Sequence, residues 1–243
     1  MNDVLYIVMP AYNEEANIES VVKQWHPIVE KLRNESRLLI VNDGSKDKTG
    51  QMLSSLTEKY PLLIPVDKSN SGHGATLLFA YRKAIEDKAN YIFQTDSDGQ
   101  TDPNEFWLFW ENRSMYDFQI GSRNARQDGF GRIVVTKVLR LLVWTVFGKW
   151  VKDANTPFRL MKTERLLSIL NVIPPDFFLS NVVISTIAVK QGERCKWHPI
   201  TFKPRQGGVN SINFKRIFKI GIQAIGDFRT INKNLKSIKK CDS

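Results

Sequence analysis

Five short apolar runs recur along the first half of the chain, at Val4–Met9, Arg37–Val41, Leu62–Val66, Tyr91–Thr95 and Asp117–Ile120, separated by polar or glycine-bearing segments. Their length suits strands, and the segments between them have helical character. This alternation predicts a single α/β domain with a mainly parallel central sheet. Between the first two runs, Ile18, Val21, Val22, Trp25, Ile28, Val29 and Leu32 fall three or four positions apart, which predicts an amphipathic helix within Glu14–Leu32. A second helix is expected after Ser45, with Ser45 as its cap and Asp47 favourable to its N-terminal dipole.

The C-terminal half shows a different pattern. Residues 133–147 form a broad apolar helical stretch, Val134, Val135, Val138, Leu139, Leu141, Leu142, Val143, Trp144, Val146 and Phe147, interrupted by Lys137 and Arg140 on one side. Phe214, Ile217, Phe218, Ile222, Ile225 and Phe228 repeat that pattern beside Lys215, Arg216 and Lys219. A basic stripe on an apolar helix suits either a membrane interface or a core helix with surface cations. The chain is therefore divided into an α/β domain over 1–211 and a basic amphipathic C-terminal helix and tail over 212–243. No segment approaches the roughly 20 uninterrupted apolar residues of a membrane-spanning helix.

Composition narrows the class. With 243 residues, 42% hydrophobic and 25% charged, the chain has the makeup of one ordinary globular core. Its two cysteines, Cys195 and Cys241, provide neither a disulfide framework nor a Cys-rich zinc site. The first apolar run is too short and wrongly flanked for a secretory signal, so a reducing cytoplasmic setting is expected. The net charge of +10 is concentrated near the C-terminus, where residues 203–243 carry ten Lys/Arg against Asp227 and Asp242. Such a patch suits nucleic acid, an anionic membrane surface or phosphorylated substrates.

In a parallel sheet the turns after the strands gather along one edge, where ligands of open α/β folds bind. Here those turns are Pro10-Ala11-Tyr12-Asn13-Glu14-Glu15, Asn42-Asp43-Gly44-Ser45, Asn70-Ser71-Gly72-His73-Gly74 and Asp96-Ser97-Asp98-Gly99-Gln100. Asp96, Asp98 and the amide oxygen of Gln100 are hard oxygen donors at a spacing that suits Mg²⁺ or Mn²⁺. Asp43, expected on the same edge, would add a second negative charge, and a bound cation would relieve the repulsion. His26, His73 and His198 match no zinc spacing, although His73 lies in one of these turns. The turns contain neither a P-loop nor a Gly-x-Gly-x-x-Gly fingerprint.

Taken in order and spacing, Pro10-Ala11-Tyr12-Asn13-Glu14, Val41-Asn42-Asp43-Gly44-Ser45, Asn70-x-Gly72 and Thr95-Asp96-Ser97-Asp98-Gly99-Gln100 resemble the family 2 glycosyltransferases of GT-A fold. The resemblance continues through Gly121-Ser122-Arg123, Asp153-x-x-x-Pro157-Phe158-Arg159 and Pro199 to Gly208, where it is similar to the dolichol-phosphate-mannose synthase branch. It implies an inverting, metal-dependent hexosyltransferase that uses a GDP- or UDP-sugar. By position, Pro10, Tyr12, Glu14 and Asp43 would hold the nucleoside, while Asp96, Asp98 and Gln100 would hold the metal, Asp96 also facing the donor. Arg123, Lys137 and Arg205 would contact phosphates. The chain departs from the branch at Thr156-Pro157 and Asn210-Ser211, and at Val183, where the branch commonly has Glu.

The acceptor implied is a polyprenyl phosphate reached from the cytoplasmic face of a membrane by a peripherally associated enzyme. A phosphate monoester with a second pKa of about 6 is largely ionised at neutral pH and needs no general base. A saccharide acceptor in cell-surface glycan synthesis is the alternative. It would need a base, for which Asp153 or Asp176 is the candidate. A sugar-phosphate nucleotidyltransferase is disfavoured because Pro10–Glu15 lacks a Gly-rich, cationic first turn, and a basic binding module lacks a nucleic-acid recognition motif. Nucleic acid is thus not an expected partner, and homo-oligomerisation is left open.

Overall fold

The computed structural model describes residues 3–33, 35–123, 130–203 and 214–241. Among these, strands β1 (Leu5–Ala11), β2 (Arg37–Asp43), β3 (Leu63–Lys68), β4 (Tyr91–Gln94), β5 (Phe118–Arg123), β6 (Arg159–Lys162) and β7 (Cys195–Ile200) form one sheet in the order β3-β2-β1-β4-β6-β5-β7. All neighbours are parallel except β6, which runs antiparallel to both β4 and β5. The five expected strands are present within three residues of their predicted limits. The expectations had placed no strand at β6, which is only four residues long, or at β7, an edge strand with exposed Lys196 and Pro199. Pro65 and Pro199 both lie on edge strands, where a missing N–H breaks no internal ladder.

Both faces of the sheet are covered, which explains why the strands read as continuous apolar runs. Leu5, Ile7 and Met9 point toward α1 (Ile18–Leu32), α2 (Thr49–Leu56) and α4 (Phe106–Glu111), in a core that holds Trp25, Leu53, Phe106 and Phe109. Tyr6 and Val8 point the other way, toward α3 (His73–Glu86), α5 (Phe130–Phe147), α6 (Thr163–Leu170), α7 (Ser180–Gln191) and α8 (Phe214–Cys241). The chain's alternation along β1 thus divides two cores.

The side chains of Phe214, Ile217, Phe218 and Ile222 lie outside the described residues, and the described end of α8 follows the core-helix reading of the two left open. Ala224, Phe228, Ile231 and Leu235 are buried in the second core, and Phe228 meets the rings of Phe147 and Phe177. Its apolar face from Ala224 onward therefore belongs to the protein interior and is not offered to a membrane. The start of α2 differs from the expectation. The helix begins at Thr49, four residues beyond Ser45, and it is Asp47 whose carboxylate accepts the Thr49 N–H at 3.0 Å. Ser45 instead accepts the Asn13 N–H at 2.9 Å, tying the turn after β2 to the turn after β1. No described helix is long and apolar enough to cross a membrane.

Candidate active site

Because β1 lies between β2 and β4, the turns after these strands open side by side at the point where strand order reverses. They are sewn together by side chains. Ser97 Oγ donates to the Pro10 carbonyl at 2.8 Å, Asn13 Oδ1 accepts the Lys46 N–H at 2.8 Å, and Glu14 N–H donates to Thr49 Oγ1 at 2.8 Å. The loop after β3 joins through Gly44, whose φ of +66° is in the left-handed region and whose added Cβ would lie 2.9 Å from the Asn70 nitrogen. A side chain at position 44 would push that loop away.

The result is a cleft of ≈ 410 Å³ lined by Pro10, Ala11, Tyr12, Glu14, Asp43, Asn70, Gly72, His73, Asp96, Ser97 and Asp98. Its size falls in the range of small-molecule sites. Six of the residues nominated from the sequence meet here: Pro10, Tyr12, Glu14, Asp43, Asp96 and Asp98. Tyr12 stays 44% exposed at the end of β1, presenting an open aromatic ring.

Asp43 does not need a cation, contrary to the repulsion expected between the two acidic turns. Lys68 Nζ donates to Asp43 Oδ1 at 2.7 Å, and the Ser71 and Gly72 N–H groups donate to its two oxygens at 2.9 Å. Burial alone would raise this carboxyl, but these donors outweigh burial and hold it below the ordinary aspartate range. Asp43 therefore shapes the β3–α3 loop as well as lining the cleft.

Asp96 is in the opposite condition. Its Oδ1 is shut off from solvent with no hydrogen-bond partner among the described residues, and His73 Nε2 lies 3.9 Å away. Burial raises its carboxyl to about 6, with the charges of Asp98 and Glu14 adding to the shift and those of His73 and Arg159 opposing it. A buried carboxylate oxygen without a donor, facing a second carboxylate, fits a divalent cation. Mg²⁺ and Mn²⁺ commonly take one or two protein carboxylates and complete their shell with water and phosphate oxygens. Among the described residues no cluster of three or more His, Cys, Asp or Glu is gathered that could hold a metal ion by itself.

The remaining nominated residues are dispersed. Gln100 uses its amide N–H to donate to the Lys203 carbonyl at 2.8 Å, while Lys203 N–H donates to the Gln100 carbonyl at the same distance. It thus fastens the turn to the segment after β7 and is not among the residues lining the cleft. Arg123 ends β5 on the same sheet edge, in register with Ile200. Lys137 is exposed on α5, and Arg205 lies outside the described residues. Asp153 is 5% exposed, and its charge partly offsets the lowering of Arg159's basicity by burial, while Asp176 is exposed near Asp227. Neither aspartate lines the cleft. Sequence reasoning left His73 and Asn70 without a role, although both occupy a glycine-bearing turn on the predicted edge. It also assigned nothing to Arg159, whose contacts come from segments remote in sequence.

Residues 6–166, about two thirds of the chain, match the pattern of Glycosyl transferase family 2. The chain belongs to that family. This glycosyltransferase is 26% identical over 238 residues to an uncharacterised protein of Methanocaldococcus jannaschii, covering 92% of its own length and 93% of the relative's. It is 24% identical over 220 residues to the polyprenol monophosphomannose synthase of Mycolicibacterium smegmatis, covering 87% and 82% of the two chains. A third relative, the undecaprenyl-phosphate 4-deoxy-4-formamido-L-arabinose transferase of Pectobacterium atrosepticum, is 22% identical over 88% of this chain and 64% of its own. Among solved structures, glucosyl-3-phosphoglycerate synthase from Mycobacterium tuberculosis, in complex with Mn²⁺, uridine diphosphate and glucosyl-3-phosphoglycerate, superposes with a TM-score of 0.68 at 17% identity. That match spans 95% of this transferase and 80% of the synthase. The fold of this glycosyltransferase is GT-A, with one antiparallel strand in an otherwise parallel sheet.

Proposed function

We propose that this protein is an inverting, metal-dependent glycosyltransferase that moves a hexose from a GDP- or UDP-sugar to a polyprenyl phosphate at the cytoplasmic face of a membrane. The observation that carries the reading is the Asp96–Asp98 turn, with the solvent-excluded, unpartnered Oδ1 of Asp96, at one wall of a cleft whose other wall is Tyr12, Glu14 and Asp43. In this reading Tyr12 packs against the base, Glu14 and Asp43 hold the nucleoside, and Pro10 shapes the wall between them. Asp96 and Asp98 hold the Mg²⁺ or Mn²⁺, with Gln100 fixing the turn or joining as a ligand, and the ion would offset the negative charge of the donor diphosphate.

The acceptor's phosphate oxygen attacks the anomeric carbon as the bond to the donor's β-phosphate oxygen breaks, and the nucleoside diphosphate leaves. Arg123, Lys137 and Arg205 are the cations assigned to these phosphates. The polyprenol and undecaprenyl phosphates in the names of two relatives support the acceptor class. The UDP and Mn²⁺ held by a structural neighbour support the donor and the ion. Neither candidate base, Asp153 or Asp176, lines the cleft, which favours an acceptor that needs no general base.

The test is thermal unfolding with nucleoside diphosphates and nucleotide sugars, with and without Mn²⁺. One nucleotide should raise the Tm selectively, and only with metal. Asp98→Ala should abolish that shift while changing the ligand-free Tm little, because a turn carboxylate supports the ion more than the core. Metal-independent binding that Asp98→Ala leaves intact would remove the metal assignment. Transfer to a soluble saccharide and not to a polyprenyl phosphate would replace the acceptor.

A further inference from the structure

The two amphipathic stretches seen in the sequence have different fates in the fold. Whereas α8 turns its described apolar face inward, α5 leaves a large apolar surface outside. Val143 and Phe147 of α5 are 2% exposed and anchor it in the core. On the opposite side Leu141 is 53% and Trp144 51% exposed, and they follow Lys137 at positions i+4 and i+7, so the three share one stripe. Val138 widens the stripe at 47%, and Trp150, just beyond the helix, is 60% exposed. The other exposed large apolar residues, such as Met115 and Leu167, are separate from it in sequence.

The charge around this surface has one sign. From Phe130 to Lys152 the chain contains no Asp or Glu, but it contains Arg132, Lys137, Arg140, Lys149 and Lys152. Lys137, Lys149 and Lys152 are exposed, and the Arg140 guanidinium lies 5.4 Å from the Trp150 ring centre, so cations border the apolar stripe. Aromatic side chains with long cations beside them match the boundary between headgroups and acyl chains of an anionic bilayer. A soluble protein partner would also accept apolar side chains, but it would not supply a continuous field of negative charge.

This surface is also connected to the candidate active site. Arg140 donates to the Lys152 carbonyl, and two residues on, the Ala154 carbonyl accepts from Arg159 at 3.1 Å. Arg159 is in register with Gln94, two residues before Asp96. A short run of chain therefore links the exposed face of α5 to the sheet edge that carries the acidic turn.

We infer that the Leu141–Trp144–Trp150 face, ringed by Lys137, Arg140, Lys149 and Lys152, docks on an anionic lipid bilayer and delivers the cleft to its acceptor there. The inference rests on the proposed lipid-linked acceptor for its purpose, but its test does not depend on catalysis.

The full chain would be floated with vesicles of phosphatidylglycerol and phosphatidylcholine, and with phosphatidylcholine alone, at physiological salt. The wild type should bind the anionic vesicles and not the neutral ones. Leu141→Glu/Trp144→Glu should lower that binding by roughly tenfold or more, because two half-exposed apolar groups are replaced by charges that lipid repels. Met115→Glu, a comparable change in the segment after α4, should leave binding unchanged. Because Leu141 and Trp144 are surface residues, the double variant should keep its Tm, and it should transfer sugar to a short water-soluble polyprenyl phosphate as the wild type does.

Equal vesicle binding by the double variant and the wild type would overturn the assignment of this face. So would a wild type that fails to bind, or one that forms a dimer through this face in sedimentation and ignores vesicles. If vesicle binding follows the variants but no polyprenyl phosphate is glycosylated, the surface stands and the acceptor proposal falls.

Discussion

At the scale of single residues, the two acidic turns are built on opposite electrostatic principles. Asp43 is surrounded by donors, whereas Asp96 carries an oxygen that no described residue satisfies. A folded-state carboxyl raised from 3.8 to about 6 binds protons more tightly than in the unfolded chain, so ionising it opposes folding. The penalty is absent below about pH 4, grows as the pH rises through 6, and is complete above it. Asp96→Asn should therefore be more stable than the wild type at pH 8 in the presence of a chelator, and this advantage should vanish near pH 4. Mn²⁺ should narrow the gap at pH 8 by stabilising the wild type alone. A gap independent of pH, measured by thermal unfolding across this range, would contradict the burial of an unpartnered charge.

At the scale of elements, the cleft depends on how closely α3 approaches its neighbours. Its second residue, Gly74, packs so tightly that an added Cβ would come within 2.3 Å of the Phe178 carbonyl oxygen and 2.6 Å of that of Phe177. Backbone on that side cannot yield as a flexible side chain would. Gly74→Ala should gain about 1 kcal/mol of helix propensity but lose more to the clash, for a net destabilisation of about 1–2 kcal/mol. Urea unfolding measures this directly. Because His73 adjoins the clash and lines the cleft, nucleotide affinity should fall as well. An unchanged unfolding midpoint would mean that the 177–178 segment adapts.

At the scale of the whole molecule, one buried cation joins elements that are remote in sequence. Arg159 is 1% exposed and donates to the carbonyls of Ala154, Thr156 and Asn181 and to Ser185 Oγ, linking β6, α7 and the segment after α5. Its charge also acts on the Asp96 and Asp153 carboxylates. Arg159→Met would strand these acceptors and leave both carboxylates without it, at a cost of about 3–5 kcal/mol. Arg159→Lys keeps the charge but lacks the planar fork, so it should recover only part of the loss. Denaturant unfolding of both variants tests this order. Equal stability of Arg159→Met and the wild type would reduce Arg159 to a space-filling role.

The sequence by itself determined the alternating α/β architecture, because two-sided burial writes itself as apolar strands and one-sided burial as helical spacing. It also determined which turns carry the acidic and aromatic residues, since a parallel sheet gathers those turns at one edge whatever its finer topology. Pro10, Tyr12, Glu14, Asp43, Asp96 and Asp98 could be named for that reason. Tertiary structure alone decided what depends on partners distant in the chain. It matched the charge of Asp43 with Lys68, brought His73 beside Asp96, and gathered around Arg159 acceptors that no local pattern links. It also buried the described apolar face of α8 and left Leu141 and Trp144 of α5 exposed. Both helices have apolar faces with cations beside them, and a periodic pattern shows that a face exists without showing what covers it.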